Sequence, residues 1–504
     1  MQKQCDRPHR PRSPIPVAHS TRGAVRLART ESTRQGGRHG APTASTAYGV
    51  GMGSGGDRDV VGSLPTKLSR LAILSMHTSP LTQPGTGDAG GMNVYIAKSA
   101  TALAELGVDI DIYTLEAAGH CASGITTDSD PRCDEVIWHT TIMGSGIDAA
   151  HEVSDAVAAV PRAVVRVHAL SLAGTDGVSK ENLPAHIDAW ADAVAAHIGD
   201  VQMLHSHYWL SGLAGLRIAR SLNLPLVHTM HTIAAVKNAH ADAGDVVEPA
   251  SRVRGEELIA TTANQLTANT GLEAADLVTF CGAAADTISL APPGVDLSTF
   301  APGDMVEARQ QLGLPKDAFV ITFIGRLQRH KAPDLAIRAL AALREVDPIL
   351  ARRAVLVICG GRSGTAGYTV ESLAQIALEL GVLEQIHFME PMPPAGVAIL
   401  YQASDVVVMP SASESFGLVA LEAQACGTPV IATAVGGLTM AVADGSSGFL
   451  IDSREPVVWA QAISRVAAPQ RREQMSQSAR SHAPHFTWQR TAQLLLNAYQ
   501  RALQ

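Results

Sequence analysis

Two carboxylates and a glycine stand out in residues 410–429, which read PSASESFGLVALEAQACGTP. The segment follows a run at 405–409 that predicts a strand, and its second half predicts a helix starting at Gly417. Free backbone N–H groups at a helix start favour an anion. Glu414 and Glu422 are either an acid–base pair or acceptors for vicinal hydroxyls, as on ribose or a hexose. The alternative is an ordinary strand–turn–helix with solvated carboxylates.

A pair of cations follows the run 319–324, which predicts the strand that opens a second α/β series. Arg326 and Lys331 leave the end of this strand together and would face the same crevice. A guanidinium fork and an ammonium point charge suit a diphosphate, although basic residues on a surface loop are the alternative. Three further cations are candidate anion ligands that the sequence does not distinguish from surface charges: Lys180, Arg252 and Arg254.

Glycines are concentrated in the loop after the first predicted strand, 71–76, and before a predicted helix at 94–106. They occupy positions 85, 87, 90 and 91, where backbone N–H groups could approach a ligand closely. The spacing only approximates the dinucleotide pattern GxGxxG. The acidic residue expected about 20 residues later is poorly matched by Asp109 and Asp111. An NAD-dependent oxidoreductase is therefore an alternative rather than the prediction.

Histidines cluster at the ends of two further predicted strands, 202–206 and 226–230. They are His205, His207, His228 and His231. A zinc site would need three converging ligands, usually with a carboxylate or a cysteine among them. Neutral histidines that line a polyol site are the better functional interpretation, and hydrogen-bonded core histidines are the alternative for the first and third of the four.

Alternating elements must position these residues. Strands are also predicted at 108–114, 164–169, 277–281, 355–359, 386–389, 429–433 and 448–451, and helices at 183–197, 210–221 and 487–503. The alternation predicts an α/β protein of two doubly wound halves, 68–295 and 296–485, with a C-terminal helix at 486–504 that packs back towards the first half. Ligands bind at the carboxyl ends of such strands, so the two halves predict one interdomain cleft.

Composition and charge exclude further classes of protein. The chain has 504 residues, 46% apolar and 17% charged, and its 44 glycines fit helices packed on parallel sheets. Residues 1–63 carry a net charge of +6 and predict a disordered basic tail, whereas the remainder carries −14. An acidic body argues against a nucleic-acid partner, and no apolar stretch is long enough to predict a membrane span. Six scattered cysteines predict free thiols and a cytoplasmic location.

Five strings together resemble the retaining GT-B glycosyltransferases, and most closely those that act in mycothiol synthesis. They are SMHTSPL from Ser75, PGTGDAGGMNVY from Pro84, HSHYWLSG from His205, HTIAAVKN from His231 and ESFGLV from Glu414. The resemblance spans about residues 68–504 and implies two facing Rossmann-like domains around a cleft. One departure is Ala332, since a glycine usually follows the lysine at this place.

The resemblance implies transfer of N-acetylglucosamine from UDP-GlcNAc to 1L-myo-inositol 1-phosphate (D-inositol 3-phosphate), the first step of mycothiol synthesis. Arg326 and Lys331 would neutralise the diphosphate leaving group, with His231 beside the sugar. Glu414 would bind hydroxyls of the donor sugar, and Glu422 the ribose. The other donor-site residues that it implies are Gln83, Pro84, Gly91, Met392 and Gly417.

The implied acceptor site has a phosphate clamp, which consists of Lys180, Tyr208, Thr232 and Arg252. Its remaining residues would be His77, Asp88, Ala89, Gly90, Gly91, Met92 and Asn93. In this family the leaving phosphate is thought to accept the acceptor's proton, on the face from which it departs. No side-chain nucleophile is then needed.

No cofactor is implied for the chemistry, but the resemblance implies a structural Mg²⁺ at Tyr401, Gln402, Ser404 and Thr428. The expected partners are the two substrates, with neither nucleic acid nor a membrane, and a homodimer is compatible with the family. A GT-B transferase for another phosphorylated or lipid acceptor is the alternative within the same fold.

Overall fold

The computed structural model describes residues 67–84, 89–115, 137–143, 163–172, 174–175, 178–239, 247–362 and 367–504. Leu64–Gln504 form one compact unit. The predicted tail at 1–63 lies outside the described residues, and so does Asp88 of the glycine-rich loop.

Among the described residues, eight strands form the sheet of the N-terminal half, in the order β3-β4-β2-β1-β5-β6-β7-β8. The sheet is parallel except for β3, which pairs antiparallel with β4 at one edge. The strands are β1 (Arg70–Leu74), β2 (Asp109–Leu115), β3 (Ile137–Met143), β4 (Val165–Ser171), β5 (Met203–His207), β6 (Leu226–Thr229), β7 (Gln265–Ala268) and β8 (Ile288–Leu290).

Helices cover both faces of this sheet. They are α1 (Gly91–Glu105), α2 (Ile187–His197), α3 (Tyr208–Leu222), α4 (Ala234–Ala239), α5 (Ala250–Thr262) and α6 (Gly271–Cys281). Side chains alternate across a strand, so Leu71 and Ile73 of β1 enter one core with α1, while Ala72 and Leu74 enter a second core with α2 and α3. Burial on both faces explains why β1 is a continuous apolar run.

The C-terminal half contains a six-stranded parallel sheet, in the order β11-β10-β9-β12-β13-β14. Its strands are β9 (Phe319–Ile324), β10 (Ala354–Cys359), β11 (Ile386–Met389), β12 (Val406–Met409), β13 (Val430–Thr433) and β14 (Gly448–Ile451). Its helices are α7 (Met305–Gln311), α8 (Pro333–Val346), α9 (Pro348–Ala351), α10 (Val370–Glu379), α11 (Pro394–Ala403), α12 (Leu418–Ala425), α13 (Leu438–Ala441), α14 (Pro456–Ala467) and α15 (Pro469–His482).

The last helix, α16 (Trp488–Ala502), packs on the N-terminal half. Trp488, Leu495 and Tyr499 share a core with Leu71 of β1 and Leu103 of α1. The Tyr499 hydroxyl lies 2.8 Å from Nδ1 of His205, which is fully buried in β5. Because α16 follows the C-terminal half in the chain and packs on the N-terminal half, it connects the two halves.

The sequence predicted one strand that the structure shows to be wrong, at 277–281, because these residues form the end of α6. The run Leu-Val-Thr-Phe-Cys has strand-forming residue types, but the helix is set by its ends. The Thr270 side chain accepts a hydrogen bond from the Glu273 N–H, and Gly282 closes the helix with φ +70°. The edge strand β3 and the short strands β7 and β8 were not predicted.

In each sheet the strands are added first on one side of the first strand and then on its other side. The strand order therefore reverses between β1 and β5 in one sheet and between β9 and β12 in the other. A crevice opens at the carboxyl edge of a parallel sheet at such a reversal. Many of the candidate residues lie in the segments after β1, β5, β9 and β12, and others follow β4, β6 and β11 or lie in α5.

Candidate functional site

The carboxyl edges of the two sheets face each other across one cleft. The Ser415 hydroxyl, ahead of α12, donates to the carbonyl of His231, after β6, over 2.5 Å. A Cβ atom at Gly90, ahead of α1, would lie 3.6 Å from Cζ of Arg326, after β9. These contacts place the glycine loop and the histidines of one half against the cations and carboxylates of the other.

The predicted cation pair stands on the cleft wall of the C-terminal half. Arg326 follows β9, and Lys331 ends a 3₁₀ turn, Arg329–Lys331. The Lys331 ammonium donates to Oε2 of Glu414 over 2.6 Å, so two residues predicted from separate motifs meet in one ion pair. Ala332 closes the turn at φ +50°, ψ +51°, a left-handed conformation that glycine adopts more readily.

The segment that carries Glu414 is held by close backbone packing. Gly417 lies at the start of α12 with φ +98°, so the helix begins where the sequence predicted. The Glu414 carbonyl accepts from the N–H of Gly437, where any Cβ would collide with the backbone of Ser415 and Phe416. Glycine at this position therefore allows the loop after β13 to support the C-terminal wall of the cleft.

Glu422 lies half-buried in α12 and accepts a hydrogen bond from the Tyr401 hydroxyl over 2.9 Å. Burial raises its pKa to about 7, while the Tyr401 hydrogen bond and the charge of Lys98 act in the opposite direction. Met392, the residue predicted to approach a base, lies partly buried after β11 and contacts α11 at Gly396.

The glycine-rich loop offers backbone more than side chains to the cleft. Asn93 is buried, and its amide donates to the Thr78 hydroxyl and the Ser79 carbonyl while its oxygen accepts from Gly90 N–H. Asn93 thus shapes the loop, and its place in the acceptor site stays a prediction. The other predicted residues of this loop have varied exposure: Ala89 is buried, Gly90, Met92 and Pro84 are partly buried, and Gln83 and Gly91 are exposed.

The predicted phosphate clamp is brought together around the ring of Tyr208. Nζ of Lys180 lies 4.6 Å from the ring centroid, and Cζ of Arg252 lies 4.9 Å from it. The Arg252 guanidinium also donates to the Thr232 hydroxyl over 2.9 Å, and the His77 ring stacks obliquely on Tyr208 at 4.5 Å. Five residues separated by up to 175 positions in the chain therefore form one cationic, hydroxyl-bearing cluster.

Arg252 and Arg254, which the sequence did not distinguish, differ sharply in the structure. Arg252 is 2% exposed and is oriented by Glu248 at 2.8 Å and by Glu256 at 2.7 Å. Arg254 is exposed on the outer side of α5. Of the two arginines, Arg252 is therefore the one that lies in the cluster around Tyr208, and the two glutamates that orient it were not identified from the sequence.

Burial keeps the histidines of the cleft neutral. It lowers the pKa of His77 well below the usual value, with Lys180, His231 and Arg252 adding to the effect. It lowers the pKa of His231 to about 3. Neutral rings beside two cations leave the cluster suited to an anionic ligand.

The other histidines bond to protein groups. His205 contacts the hydroxyls of Tyr499 and Thr229, each at 2.8 Å, and Nδ1 of His228 contacts the Ser206 hydroxyl at 2.8 Å. Within the described ranges, no three histidine, cysteine or acidic side chains are arranged to hold a metal ion. The interpretation of hydrogen-bonded core histidines fits His205 and His228.

The residues proposed for a structural Mg²⁺ do not present a set of free oxygen ligands. The Thr428 hydroxyl donates to the Tyr401 carbonyl over 2.7 Å, and the Ser404 hydroxyl donates to the Leu400 carbonyl over 2.6 Å. The Gln402 amide donates to a backbone carbonyl over 2.8 Å. Mg²⁺ prefers carboxylates and water, and the set has no carboxylate, so this arrangement does not fit the ion. The magnesium site stays a prediction, and no step is derived through it.

A pocket opens in the cleft between His231 and Glu414, and it contains residues that the motifs did not reveal. Ser415, Gly436 and Gly437 line its C-terminal wall, and Glu273 of α6 lines the other. Burial raises the pKa of Glu273 to about 7. The paired glycines after a predicted strand were a usable signal, whereas nothing in the local sequence marks Glu273.

Two further properties concern the whole described chain. Cys281, Cys359 and Cys426 are buried free thiols. Within the described part of the chain, no helix combines the length and the apolar character needed to cross a bilayer.

Two family models match the chain, one on each half. Residues 90–294 match the glycosyl transferase 4-like domain, and residues 304–482 match glycosyl transferases group 1. Similar solved structures include sucrose-phosphate synthase from Thermosynechococcus elongatus, at 27% identity and a TM-score of 0.70 over 86% of this chain and 98% of that one. The Anabaena protein HepE in complex with UDP and glucose gives 18% identity and a TM-score of 0.61 over 86% and 99% of the two chains.

The two facing Rossmann-like halves and the cationic cleft between them define a glycosyltransferase of the GT-B class. Relatives with similar sequences identify the family within this class. The D-inositol 3-phosphate glycosyltransferase of Actinosynnema mirum is 43% identical over 86% of this chain and 98% of its own length, and that of Kribbella flavida is 44% identical over 86% and 96%. The chain belongs to the D-inositol 3-phosphate glycosyltransferase family.

Proposed function

We propose that the protein transfers N-acetylglucosamine from UDP-GlcNAc to D-inositol 3-phosphate with retention at the anomeric carbon, the first step of mycothiol synthesis. The observation that carries the proposal is the pairing of two anion sites across one cleft. The clamp around Tyr208 lies in the N-terminal half, and Arg326 with Lys331 lies in the C-terminal half. The names of the curated relatives support the acceptor.

The acceptor phosphate would bind the clamp. Lys180 and Arg252 supply positive charge, and the hydroxyls of Thr232 and Tyr208 supply further donors. Arg252 is already held by Glu248 and Glu256, so its guanidinium is oriented before the ligand arrives. Preorganised donors reduce the free-energy cost of fixing the substrate.

The donor would bind the opposite wall. Glu422 would accept from the ribose hydroxyls and Glu414 from the sugar hydroxyls, while Arg326 and Lys331 would face the diphosphate. Lys331 is 2.6 Å from Glu414, so binding of the donor would place it between a carboxylate and a phosphate. Its charge is therefore already located where the leaving group gains negative charge.

In the proposed reaction the bond between the anomeric carbon and the UDP oxygen breaks, and an inositol hydroxyl bonds to the same face of that carbon. The hydroxyl proton passes to the departing phosphate oxygen, so that UDP leaves and no side-chain nucleophile takes part. The sugar carries positive charge at the transition state, with His231 next to it. The main contributions are electrostatic stabilisation of UDP and positioning of both substrates.

The test is release of UDP in the presence of both substrates. The protein should form UDP and N-acetylglucosaminyl-inositol phosphate, and the anomeric proton coupling in the product should be that of an α-glycoside. No release of UDP with D-inositol 3-phosphate, but release with another phosphorylated acceptor, would contradict the proposed acceptor. A β-linked product would contradict retention alone. A cytoplasmic location and a homodimer, expected from the sequence, stay predictions.

A further inference from the structure

Two neighbouring histidines lie at the base of the cleft and share one hydrogen bond. His207 is the last residue of β5, and His231 follows β6 by two positions. Nδ1 of His207 lies 2.9 Å from Nε2 of His231. Since both atoms are ring nitrogens, one ring must carry the hydrogen and the other must accept it.

Both rings are neutral at physiological pH. Burial lowers the pKa of His231 to about 3, and burial together with the charges of His205, His231 and His228 lowers that of His207 well below its usual value. A neutral imidazole carries one N–H and one lone pair. Two arrangements of the pair are therefore open, and they place the hydrogens differently.

The surroundings of His207 distinguish these arrangements. Its Nε2 atom is buried, and no hydrogen-bond partner lies near it among the residues that the structure describes. If His207 accepted at Nδ1, its own hydrogen would sit on Nε2, as a buried N–H without a partner. Orphaned buried N–H groups are rare and cost about 1–3 kcal/mol. If His207 donates from Nδ1, its Nε2 atom carries only a lone pair.

We propose that His207 donates its Nδ1 hydrogen to Nε2 of His231 and thereby fixes His231 in the tautomer that carries its hydrogen on Nδ1. His207 is thus a positioning residue for the proposed transfer reaction. The tautomer itself follows from the geometry, whereas its effect on turnover rests on the proposed function.

The consequence is a defined hydrogen-bond donor in the cleft. His231 lines the pocket beside Glu414, and its Nε2 atom is taken up by His207, so Nδ1 is the polar ring atom left for a ligand. An N–H there can donate to a hydroxyl oxygen of the donor sugar. The same ring cannot serve as a base, because its one lone pair is already used.

Neighbouring rings hold the pair in this orientation. The rings of His205 and His207 lie 4.1 Å apart, and the Tyr95 ring packs edge-on against His231 at 5.3 Å. His205 is itself fixed by Tyr499 of α16 and Thr229 of β6. Rotation of either ring would break the hydrogen bond between them and disturb the packing on His205 or Tyr95, so the tautomer is set by the fold and not only by the pair.

The experiment is long-range ¹H–¹⁵N NMR on the full chain labelled with ¹⁵N-histidine, with the His231 signals assigned from their loss in His231→Asn. We expect a protonated Nδ1 and an unprotonated Nε2 in the unmodified protein. His207→Asn places an amide N–H near the original Nδ1 position, and it should keep this pattern. His207→Leu removes the donor and should change it.

We expect kcat to depend on the tautomer of His231. His207→Asn should keep kcat within about threefold of the unmodified protein. His207→Leu should lower kcat about tenfold to hundredfold, as expected for loss of one oriented hydrogen bond in the transition state, with little change in the Kd for UDP. UDP binding also shows that the variant is folded.

A hydrogen on Nε2 of His231 in the unmodified protein would overturn the proposal, and so would a His207→Leu variant with unchanged tautomer and kcat. If His207→Leu does not fold, the spectra of the unmodified protein and of His207→Asn decide the assignment. A protein that shows the Nδ1 tautomer but makes no product from UDP-GlcNAc and inositol phosphate would support the assignment and contradict the proposed function instead.

Discussion

At the scale of single residues, the proposed phosphate clamp places two cations on one aromatic ring. Lys180 and Arg252 both lie against Tyr208, at 4.6 and 4.9 Å from its centroid. Arg252 is nearly fully buried and tied to two glutamates, so removing it would also leave those carboxylates without their partner. Lys180 is only partly buried, and its removal tests the ligand more directly.

Lys180→Ala should raise the KM for inositol phosphate about tenfold to hundredfold, because a charge-assisted hydrogen bond is worth roughly 1.5–3 kcal/mol. Turnover with unphosphorylated inositol should change little. Steady-state kinetics with both acceptors measure the effect. Arg254→Ala is the matched control, since this exposed cation on the outer side of α5 should leave both constants unchanged. Equal losses with both acceptors would contradict phosphate binding by Lys180.

Glu422 predicts a pH dependence for donor binding. Its pKa is raised to about 7, mainly by burial, so the carboxylate that would accept the ribose hydroxyls is half protonated near neutral pH. Affinity for UDP-GlcNAc should be full above that pH and should fall as the pH drops through 7 towards 5, with KM for the donor rising. Calorimetric titration across this range measures it.

The control for this prediction is Glu422→Gln, which cannot titrate. Its affinity for UDP-GlcNAc should be lower than that of the unmodified protein at pH 8 and nearly constant between pH 5 and 8. A Gln variant with the same pH profile as the unmodified protein would assign the titration to another group.

At the scale of elements, the strands after which the site residues lie could be predicted from the sequence. Strand β9 has the predicted bounds, because buried parallel strands are short apolar runs between turn signals. Strand β3 was missed because an antiparallel edge strand does not share that pattern. The apolar run at 277–281 was predicted as a strand because local residue type conflicts there with the helix ends that decide α6.

The site was predictable to the extent that its residues sit in motifs. Arg326, Lys331 and Glu414 follow strands directly, so the topology alone brings them to one edge. Glu256 was missed although it lies four residues from Arg252 on one helix, a spacing that the sequence shows. Glu273 and Ser415 were missed because their roles depend on contacts between elements far apart in sequence. No spacing rule within one segment reports such contacts.

Ala332 offers a test of local backbone strain. It closes the turn after Lys331 at φ +50°, and a left-handed conformation costs a non-glycine residue roughly 1–2 kcal/mol. Ala332→Gly relieves this strain, but it also removes a fully buried methyl group and adds entropy to the unfolded chain, so the free energy of unfolding should change by less than about 1 kcal/mol. Denaturant unfolding measures this change.

The matched control is Ala341→Gly, which makes the same substitution inside α8. Glycine within a helix is less stable than alanine by about 1 kcal/mol, so the control should lose about that much stability. An Ala332→Gly variant that loses as much stability as the control would show that the left-handed turn is not strained.

At the scale of the whole molecule, a hydrogen bond joins the two walls of the cleft. The Ser415 hydroxyl bonds to the carbonyl of His231, a residue that itself has a positive φ of 62°. Strained conformations of this kind persist where surrounding contacts determine them, and they concentrate at functional sites. The bond from Ser415 therefore helps to hold the two walls of the cleft together and to fix the backbone of His231, which we propose lies beside the donor sugar.

Closure should matter because water competes with the acceptor for an activated donor sugar. Ser415→Ala removes the hydroxyl but no buried volume beyond one atom, so the fold should stay intact and the closed state should be less populated. The loss of one hydrogen bond of roughly 1 kcal/mol shifts the equilibrium between open and closed forms. We therefore expect a several-fold higher ratio of UDP-GlcNAc hydrolysis to transfer. The Kd for UDP should change by less than about threefold. Chromatographic separation of free N-acetylglucosamine from the transfer product gives the ratio directly.

Ser413→Ala is the control, since Ser413 lines the same pocket on the same loop and is exposed. An unchanged ratio in Ser415→Ala would mean that the bond between the halves does not control access of water, and that the other contacts across the cleft are sufficient to keep it closed.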